Sequence, residues 1–270
     1  MILERTIELL KSRYKSYIES LTIADACIGL YLTAIRLSDG SCGVASTDTS
    51  PHPPCSKENR DFGEFTPSKI TGRRVIDLLG ADNRVTALDS LKIAALNAIS
   101  MQLLPASGYR IVEDKDPVDL IDLNSEKTVT LVGGFPSYIK RISETKNKLY
   151  VLELDENFLG KEQKKYYVPA SDFTKILPVS DIIVITGCTL VNNTIDDLIS
   201  AIPLNAQVVV SGPSSSLLPD ILFENKVSII GATRITDPDM AFAVAAQAGS
   251  GYHLFRYCAR KICILNEKRV

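Results

Sequence analysis

Three apolar, strand-like segments in the second half of the sequence are each followed by glycine and small polar residues. Gly133 and Gly134 follow the segment 128–132, Gly187 follows 181–186, and Gly212 follows 207–211. Glycine at the end of a strand lets the backbone approach a ligand closely, and the next helix offers free N–H groups to an anion. Because parallel strands end at the same edge of a sheet, these turns predict a shared small-molecule site.

The first turn, Gly133-Gly134-Phe135, is paired in the sequence with Glu153, which lies 20 residues after Gly133 near the end of the following strand. That spacing suits an acid that accepts hydrogen bonds from a ribose diol. The fingerprint is incomplete, because no GxGxxG is present. A tight turn for the two glycines and a surface role for Glu153 are the alternatives.

The second turn forms a largely polar cluster that predicts an uncharged ligand-binding surface. Its candidate residues are Thr186, Gly187, Thr189 and Asn192. The alternative is that Thr194 caps the next helix and that the other residues form a plain turn.

The third turn, Gly212-Pro213-Ser214, offers glycine and a hydroxyl at the end of a fourth strand. A turn followed by a helix cap is the other interpretation. Asn97 lies in an alanine-rich helix, and its amide either faces the ligand or satisfies a neighbouring backbone group. Both alternatives are left open.

A metal site is a separate hypothesis. His52 and Cys55 lie in the proline-rich segment Thr47–Pro67, and neutral imidazole and thiolate are good ligands for soft metals. A zinc site needs two further ligands, which Asp48, Glu58, Asp61 or Glu64 could supply. There is no GxSxG, P-loop or HExxH motif, so whether a reaction is catalysed is left open.

The first part of the chain is expected to be an α+β unit. Leu3, Ile7, Leu10, Tyr14 and Tyr17 have helical spacing. The pattern then predicts an antiparallel meander with a hairpin turn at Asp39-Gly40, followed by two helices. The predicted strands cover 20–27, 30–37 and 42–46, and the predicted helices cover 68–79 and 86–104. The polar segment 107–125 is the expected connection to the second part.

From Thr128 onward, short β-branched strands alternate with helices, which predicts a Rossmann-like, doubly wound parallel sheet. The predicted strands cover 128–132, 149–154, 181–186, 207–211 and 227–230. The predicted helices cover 136–146, 194–202, 214–224 and 237–249. Asp237-Pro238-Asp239 is a strong start signal for the last of them.

Composition excludes several classes of protein. The 270 residues carry a formal charge of −2 without a basic footprint, which argues against nucleic-acid binding. The longest apolar run, Met240 to Ala246, is too short to cross a membrane, and no secretory signal is evident. Six scattered cysteines are expected to be reduced thiols, which favours a cytoplasmic protein. A homo-oligomer is left open.

Several of these motifs together resemble the heavy-metal-chelation family, formerly a domain of unknown function. The residues that carry the resemblance are Ala94-Ala95-Leu96-Asn97-Ala98, Val132-Gly133-Gly134-Phe135-Pro136, Leu152-Glu153, Thr186-Gly187-Cys188-Thr189-Leu190, Asn192, Thr194, Gly212-Pro213-Ser214 and Pro219. The resemblance covers most of the chain and is clearest from Thr128 to Gly251.

The resemblance implies an enolase-cap-like α+β domain at residues 1–125 and a Rossmann-like ligand-binding domain at residues 126–270. It also implies that a metal ion or metal chelate binds in an interdomain cleft at the strand ends. The residues themselves leave two alternatives. One is an enzyme that uses a nicotinamide dinucleotide or S-adenosylmethionine, and the other is a non-catalytic interaction protein.

Overall fold

The N-terminal part of the chain is a small antiparallel sheet covered by helices. The computed structural model describes residues 1–48, 63–81 and 86–269, with only the backbone of Thr86. The strands β1 (Ile23–Ile28), β2 (Leu32–Leu37) and β3 (Cys42–Ser46) lie in that order across the sheet. The helices are α1 (Ile2–Arg13), α2 (Lys15–Ser20), α3 (Val75–Leu79) and α4 (Thr86–Leu103). The predicted meander is confirmed.

The β2–β3 hairpin turns at Gly40, as the Asp39-Gly40 pair predicted. Gly40 has a φ of 85°, and its N–H donates to the carbonyl of Leu37 at 2.9 Å. Glycine adopts this left-handed conformation without the steric cost that a side chain brings.

Two helix predictions for the N-terminal part are wrong in extent. The first helix is interrupted at Tyr14, which separates α1 from α2. The helix predicted over residues 68–79 is reduced to α3, because Ser68 and Gly72 have φ angles of 74° and 84°. Positive φ cannot continue a right-handed helix, so the segment before α3 folds as a loop.

Helix α4 packs directly on the meander, and Gly43 allows the close approach. A Cβ on Gly43 would lie 2.1 Å from the carbonyl oxygen of Ala94. The small residues of α4 therefore face the sheet at Gly43. Asn97 lies about one turn after Ala94 on this helix, and the close packing places it next to β3.

The second part is an eight-stranded sheet with the order β4-β11-β10-β9-β8-β5-β6-β7. The strands are β4 (Arg110–Glu113), β5 (Thr128–Val132), β6 (Lys148–Glu153), β7 (Tyr167–Pro169), β8 (Ile182–Thr186), β9 (Gln207–Ser211), β10 (Val227–Ile235) and β11 (Ala259–Leu265). The six strands from β5 to β10 pair in parallel. The doubly wound core predicted from the sequence is confirmed.

One edge of this sheet departs from the prediction of a parallel sheet. β11 pairs antiparallel with β10, and β4 pairs antiparallel with β11. β4 comes from the segment 107–125 that was expected to be only a connection. That segment therefore also supplies an edge strand. The division of the chain between residues 125 and 126 stays a prediction. The likeness of the first part to an enolase cap also stays a prediction.

The helices of the second part are short. They are α5 (Pro136–Ser143), α6 (Phe173–Ile176), α7 (Cys188–Val191), α8 (Ile195–Ser200), α9 (Asp220–Glu224), α10 (Pro238–Ala246) and α11 (Gly251–Tyr257). Asp237 caps α10 as predicted, because its Oδ1 accepts from the N–H of Met240 at 3.0 Å. The helices predicted over 136–146 and 237–249 end early, and the helix predicted over 214–224 begins only at Asp220. The helices α6, α7 and α11 were not predicted.

The large sheet is covered on both faces. Val208 and Val210 of β9 pack in a core that continues through α4 and α8, whereas Val209 packs in a second core with α5 and Val118. The apolar character of both faces of β9 thus follows from burial on two sides. Among the described residues, no helix is long and apolar enough to cross a membrane. Five of the six cysteines are described, and all five are free thiols.

Candidate ligand-binding cleft

The strand order places a topological switch point at β5. β6 lies on one side of β5 and β8 lies on the other, so the chain winds away from β5 in both directions. In sheets of this type, ligands bind beyond the carboxyl ends of the strands at such a point. The predicted strand-end turns lie at this edge of the sheet.

The turns after β5, β8 and β9 are in contact with one another. A Cβ on Gly133 would lie 2.8 Å from Thr186 Cγ2, and the φ of Gly133 is 100°. The N–H of Gly187 donates to the carbonyl of Ser211 at 2.8 Å. The three strand ends therefore form one continuous surface, while the ligand-binding role of these residues stays a prediction.

Glu153 lies beside the first of these turns. A Cβ on Gly134 would lie 3.3 Å from Glu153 Oε2, and Glu153 Oε1 accepts from the N–H of Leu154 at 2.7 Å. The carboxylate is half-buried and Gly134 is exposed. The pair thus lies side by side at the ends of β5 and β6, where a ligand could reach both.

Two candidates of the second turn already have hydrogen-bond partners in the chain. Thr189 is buried, and its hydroxyl donates to the carbonyl of Thr186 at 2.7 Å. Asn192 is exposed, and its Oδ1 accepts from the Thr194 hydroxyl at 2.7 Å. Thr194 is the N-cap residue of α8, as the alternative expected, but its side chain makes no capping bond, because its hydroxyl donates to Asn192.

Asn97 and Ser214 link the two parts of the chain. Asn97 Nδ2 donates to the carbonyl of Val44 on β3 at 2.7 Å and to the carbonyl of Pro213 at 3.1 Å. Ser214 Oγ accepts from the N–H of Ser46 at 2.8 Å. Asn97 is 2% exposed, and its Oδ1 has no hydrogen-bond partner. Both residues thus position the third turn against the meander.

A cleft of about 200 Å³ opens beside this third turn, on the face of the sheet that α5 covers. Ser211, Gly212 and Pro213 form one wall, and Phe135 and Tyr138 form another. β10 and β11 contribute further lining residues. Three of the predicted site residues therefore line the cleft: Phe135, Gly212 and Pro213.

A chain of hydrogen bonds centred on Asp116 forms part of the lining of the cleft. Asp116 Oδ1 accepts from the Tyr138 hydroxyl, and Oδ2 accepts from Lys261 Nζ at 2.5 Å. The side chain of Asp116 is 20% exposed and that of Lys261 is 44% exposed. Lys261 Nζ also lies 5.2 Å from the centre of the Phe255 ring. The charged pair is thus fixed at one end and accessible at the Lys261 end.

Burial sets the protonation states around this pair. Burial, reinforced by the Asp116 carboxylate, raises the pKa of Tyr138, so the phenol stays protonated and acts as a donor. Burial also raises the pKa of Cys263 to about 12, and its Sγ lies 3.3 Å from the carbonyl of Lys115, to which it donates. Cys263 is therefore a thiol at neutral pH rather than a metal-binding thiolate.

Sequence reasoning missed the polar residues of the cleft. Asp116 and Lys261 are 145 positions apart, so no spacing connects them. Ser137 and Tyr138 directly follow the predicted Gly133–Pro136 motif, and Ser211 directly precedes Gly212. Extending the motifs by one or two residues would have found these three.

The metal hypothesis for His52 and Cys55 lies outside the described residues. Within residues 1–48, 63–81 and 86–269, no group of three or more His, Cys, Asp or Glu side chains is arranged to hold a metal ion. The cleft itself offers recognition by hydrogen bonds, charge and aromatic rings.

The fold is shared with two solved proteins of unknown function. One, from Pyrococcus horikoshii, has a TM-score of 0.75 and 21% identity, and the alignment covers 98% of each chain. The other, from Desulfitobacterium hafniense, has a TM-score of 0.72 and 20% identity, covering 96% of this chain and 100% of that one. At this identity the likeness establishes the fold alone.

Sequence comparison identifies the family. An uncharacterised protein of Methanocaldococcus jannaschii is 27% identical over 177 residues, which span 64% of this chain and 64% of that protein. Two family models match residues 11–100 and 116–264, and both are described as "Putative heavy-metal chelation". That description supports a general metal-handling role. The second model alone covers more than half of the chain, and the protein therefore belongs to this heavy-metal-chelation family.

Proposed function

We propose that this protein binds a metal ion as its complex with a small organic chelator, at the carboxyl edge of the large sheet. The family supplies the general metal-handling role. The cleft beside Gly212 supplies a site of suitable chemistry, with polar side chains that can orient an organic molecule and aromatic walls that can enclose it.

The hydrogen-bond chain of Asp116 is the observation that carries this proposal. Asp116 is the carboxylate among the lining residues, and its two oxygens already accept from Tyr138 and Lys261. A carboxylate engaged in this way is a poor metal ligand. The arrangement therefore favours a bound molecule that brings its own donor atoms to the metal.

The position of the cleft also supports a role for the N-terminal part. Pro213 lines the cleft, and its carbonyl accepts from Asn97 of α4. A ligand in the cleft would thus touch a turn whose position depends on both parts of the chain. We therefore propose that the ligand site is shaped by both parts of the chain through the contact between Asn97 and Pro213.

Calorimetric titration tests the proposal with three probes in parallel: Ni²⁺ alone, pyridine-2-carboxylate alone and their complex. We expect the complex to bind more tightly than Ni²⁺ alone, because the chelator occupies coordination positions of the metal while the cleft binds the chelator. Equal or weaker binding of the complex would argue against the proposal.

A nucleotide cofactor is the second candidate. It is supported by the Glu153 carboxylate beside Gly134 and by the strand order around β5. If a nicotinamide dinucleotide or S-adenosylmethionine binds there, Glu153→Gln weakens it by about 1–3 kcal/mol, the value of a hydrogen bond to a charged group. Glu144→Gln, an exposed change near the end of α5, is the matched control. A thermal-shift series that responds to neither cofactor removes this candidate.

A further inference from the structure

The cleft is small. Its volume is about 200 Å³, whereas pockets for drug-sized ligands measure roughly 300–1,000 Å³. It therefore suits a molecule the size of one substituted ring, or one such ring of a larger complex whose remainder projects into solvent.

Aromatic rings form two of its walls. Phe135 and Tyr138 are stacked with their ring centres 5.1 Å apart and an angle of 15° between the planes. Phe255 is a further aromatic lining residue. Aromatic pairs stack or meet edge to face more favourably than their buried area alone explains, so these walls favour a planar ring over a flexible aliphatic group.

The more exposed charged group of the cleft is the ammonium of Lys261. Tyr138 and Lys261 each donate to one oxygen of Asp116, so both carboxylate oxygens are already engaged. The ammonium group of Lys261 has three N–H donors, and one of them donates to Asp116. Because the Lys261 side chain is 44% exposed, its remaining donors can pair with an acidic group on a ligand.

We propose that the cleft selects a single-ring aromatic or heteroaromatic carboxylate, with its acid group on Lys261 and its ring against Phe135 and Phe255. The inference rests on the proposed function in one respect, because it names the class of chelator. The recognition itself requires no metal, so the two claims can fail separately.

Saturation-transfer NMR and calorimetry on the whole protein test the ligand class with four metal-free probes. Benzoate and pyridine-2-carboxylate carry both features, benzamide lacks the charge, and cyclohexanecarboxylate lacks the planar ring. We expect the two aromatic acids to bind most tightly. Lys261→Gln should weaken benzoate by about tenfold or more, as expected for loss of a charge-assisted hydrogen bond, and should leave benzamide unchanged.

Matched variants separate charge from folding. Arg260→Gln removes the neighbouring cation of β11, which lies 3.9 Å from Asp114 and not in the cleft, and should leave benzoate binding unchanged. Lys261→Arg should retain it. If Lys261→Gln does not fold, Phe255→Leu becomes the test, and it should weaken benzoate more than cyclohexanecarboxylate.

Equal affinity for benzoate and benzamide would overturn the inference, as would failure of all four probes to bind at millimolar concentration. If the aromatic acids bind but their nickel complexes do not, the ligand class stands and the metal role fails. If nickel citrate binds and the aromatic acids do not, the metal role stands and this inference fails.

Discussion

The side-chain amide of Asn97 donates to the carbonyl of Pro213 at 3.1 Å and thereby connects α4 of the N-terminal part to the wall of the cleft. The same nitrogen donates to Val44 on β3 at 2.7 Å. One buried amide thus ties together a helix, the small sheet and the third strand-end turn. The position of Pro213, and with it the shape of the cleft, depends on this contact.

Asn97→Ala is expected to lower the free energy of unfolding by about 1–3 kcal/mol, because it leaves the buried carbonyl of Val44 and the part-buried carbonyl of Pro213 without this donor. Urea unfolding followed by circular dichroism measures the change. Asn124→Ala, at an exposed position, should change stability by no more than about 0.5 kcal/mol. A similar small effect for Asn97→Ala would show that the contact does not hold the two parts together.

Gly133→Ala is expected to destabilise the protein by more than about 1 kcal/mol, through positive φ and steric overlap together. The new Cβ would lie 2.8 Å from Thr186 Cγ2. Gly40→Ala is the matched control, because Gly40 also has positive φ, at 85°, but has nothing within 4 Å of its Cβ position. The difference between the two variants measures the overlap.

Thr186→Ser should reduce that difference, because it removes the overlapping methyl group. A double-mutant cycle of Gly133→Ala and Thr186→Ser measures the coupling between the two positions. Additive effects would mean that the ends of β5 and β8 do not touch as described.

Much of the fold could be predicted because its strands have strong local patterns. Thr128–Val132 and Gln207–Ser211 are β-branched, apolar and bounded by turns, and both are strands with those limits. β11 lacks such a pattern, because Arg260 and Lys261 interrupt its apolar residues. β4 is four residues long and sits at the sheet edge, so its pairing with β11 carries little local signal.

The site was harder to predict because its contacts are distant in sequence. Glycines at strand ends indicate the edge of the sheet at which the candidate cleft lies, since they reflect local backbone geometry. The bond between Asp116 and Lys261 joins the predicted connection 107–125 to the antiparallel strand β11, which was not predicted. The amide of Asn97 was left with two alternatives, and its bonds to Val44 and Pro213 depend on packing between the two parts.

Asp89 gives a prediction about pH. Its side chain lies in the first turn of α4 and is 8% exposed, 3.8 Å from Lys92 Nζ. Burial raises the pKa of Asp89 to about 6, with Lys92 opposing the shift and Asp48 adding to it. A carboxyl whose pKa is higher in the folded state contributes stability at low pH, and that contribution is lost as pH rises from about 4 to about 6.

The stability of Asp89→Asn relative to the wild type should therefore increase by about 1–3 kcal/mol between pH 4 and pH 8. Asp119→Asn should behave in the opposite way. Its pKa is lowered by the hydrogen bond from Arg141, so the substitution removes stability at neutral pH and loses its effect as pH falls. Urea unfolding of each variant at several pH values measures how its stability relative to the wild type changes with pH. A change in the same direction for both variants would contradict the opposite pKa shifts of Asp89 and Asp119.

The most direct test of the central claim compares the affinity of the nickel complex of pyridine-2-carboxylate for two variants of helix α5. Ser137 is exposed and lines the cleft, whereas Ser143 is exposed at the end of the same helix. Ser137→Tyr adds a large side chain to the lining of the cleft, and Ser143→Tyr adds the same side chain elsewhere. The account predicts that Ser137→Tyr weakens binding by about tenfold or more and that Ser143→Tyr matches the wild type. Equal affinity for all three proteins would contradict the claim that the complex binds in this cleft.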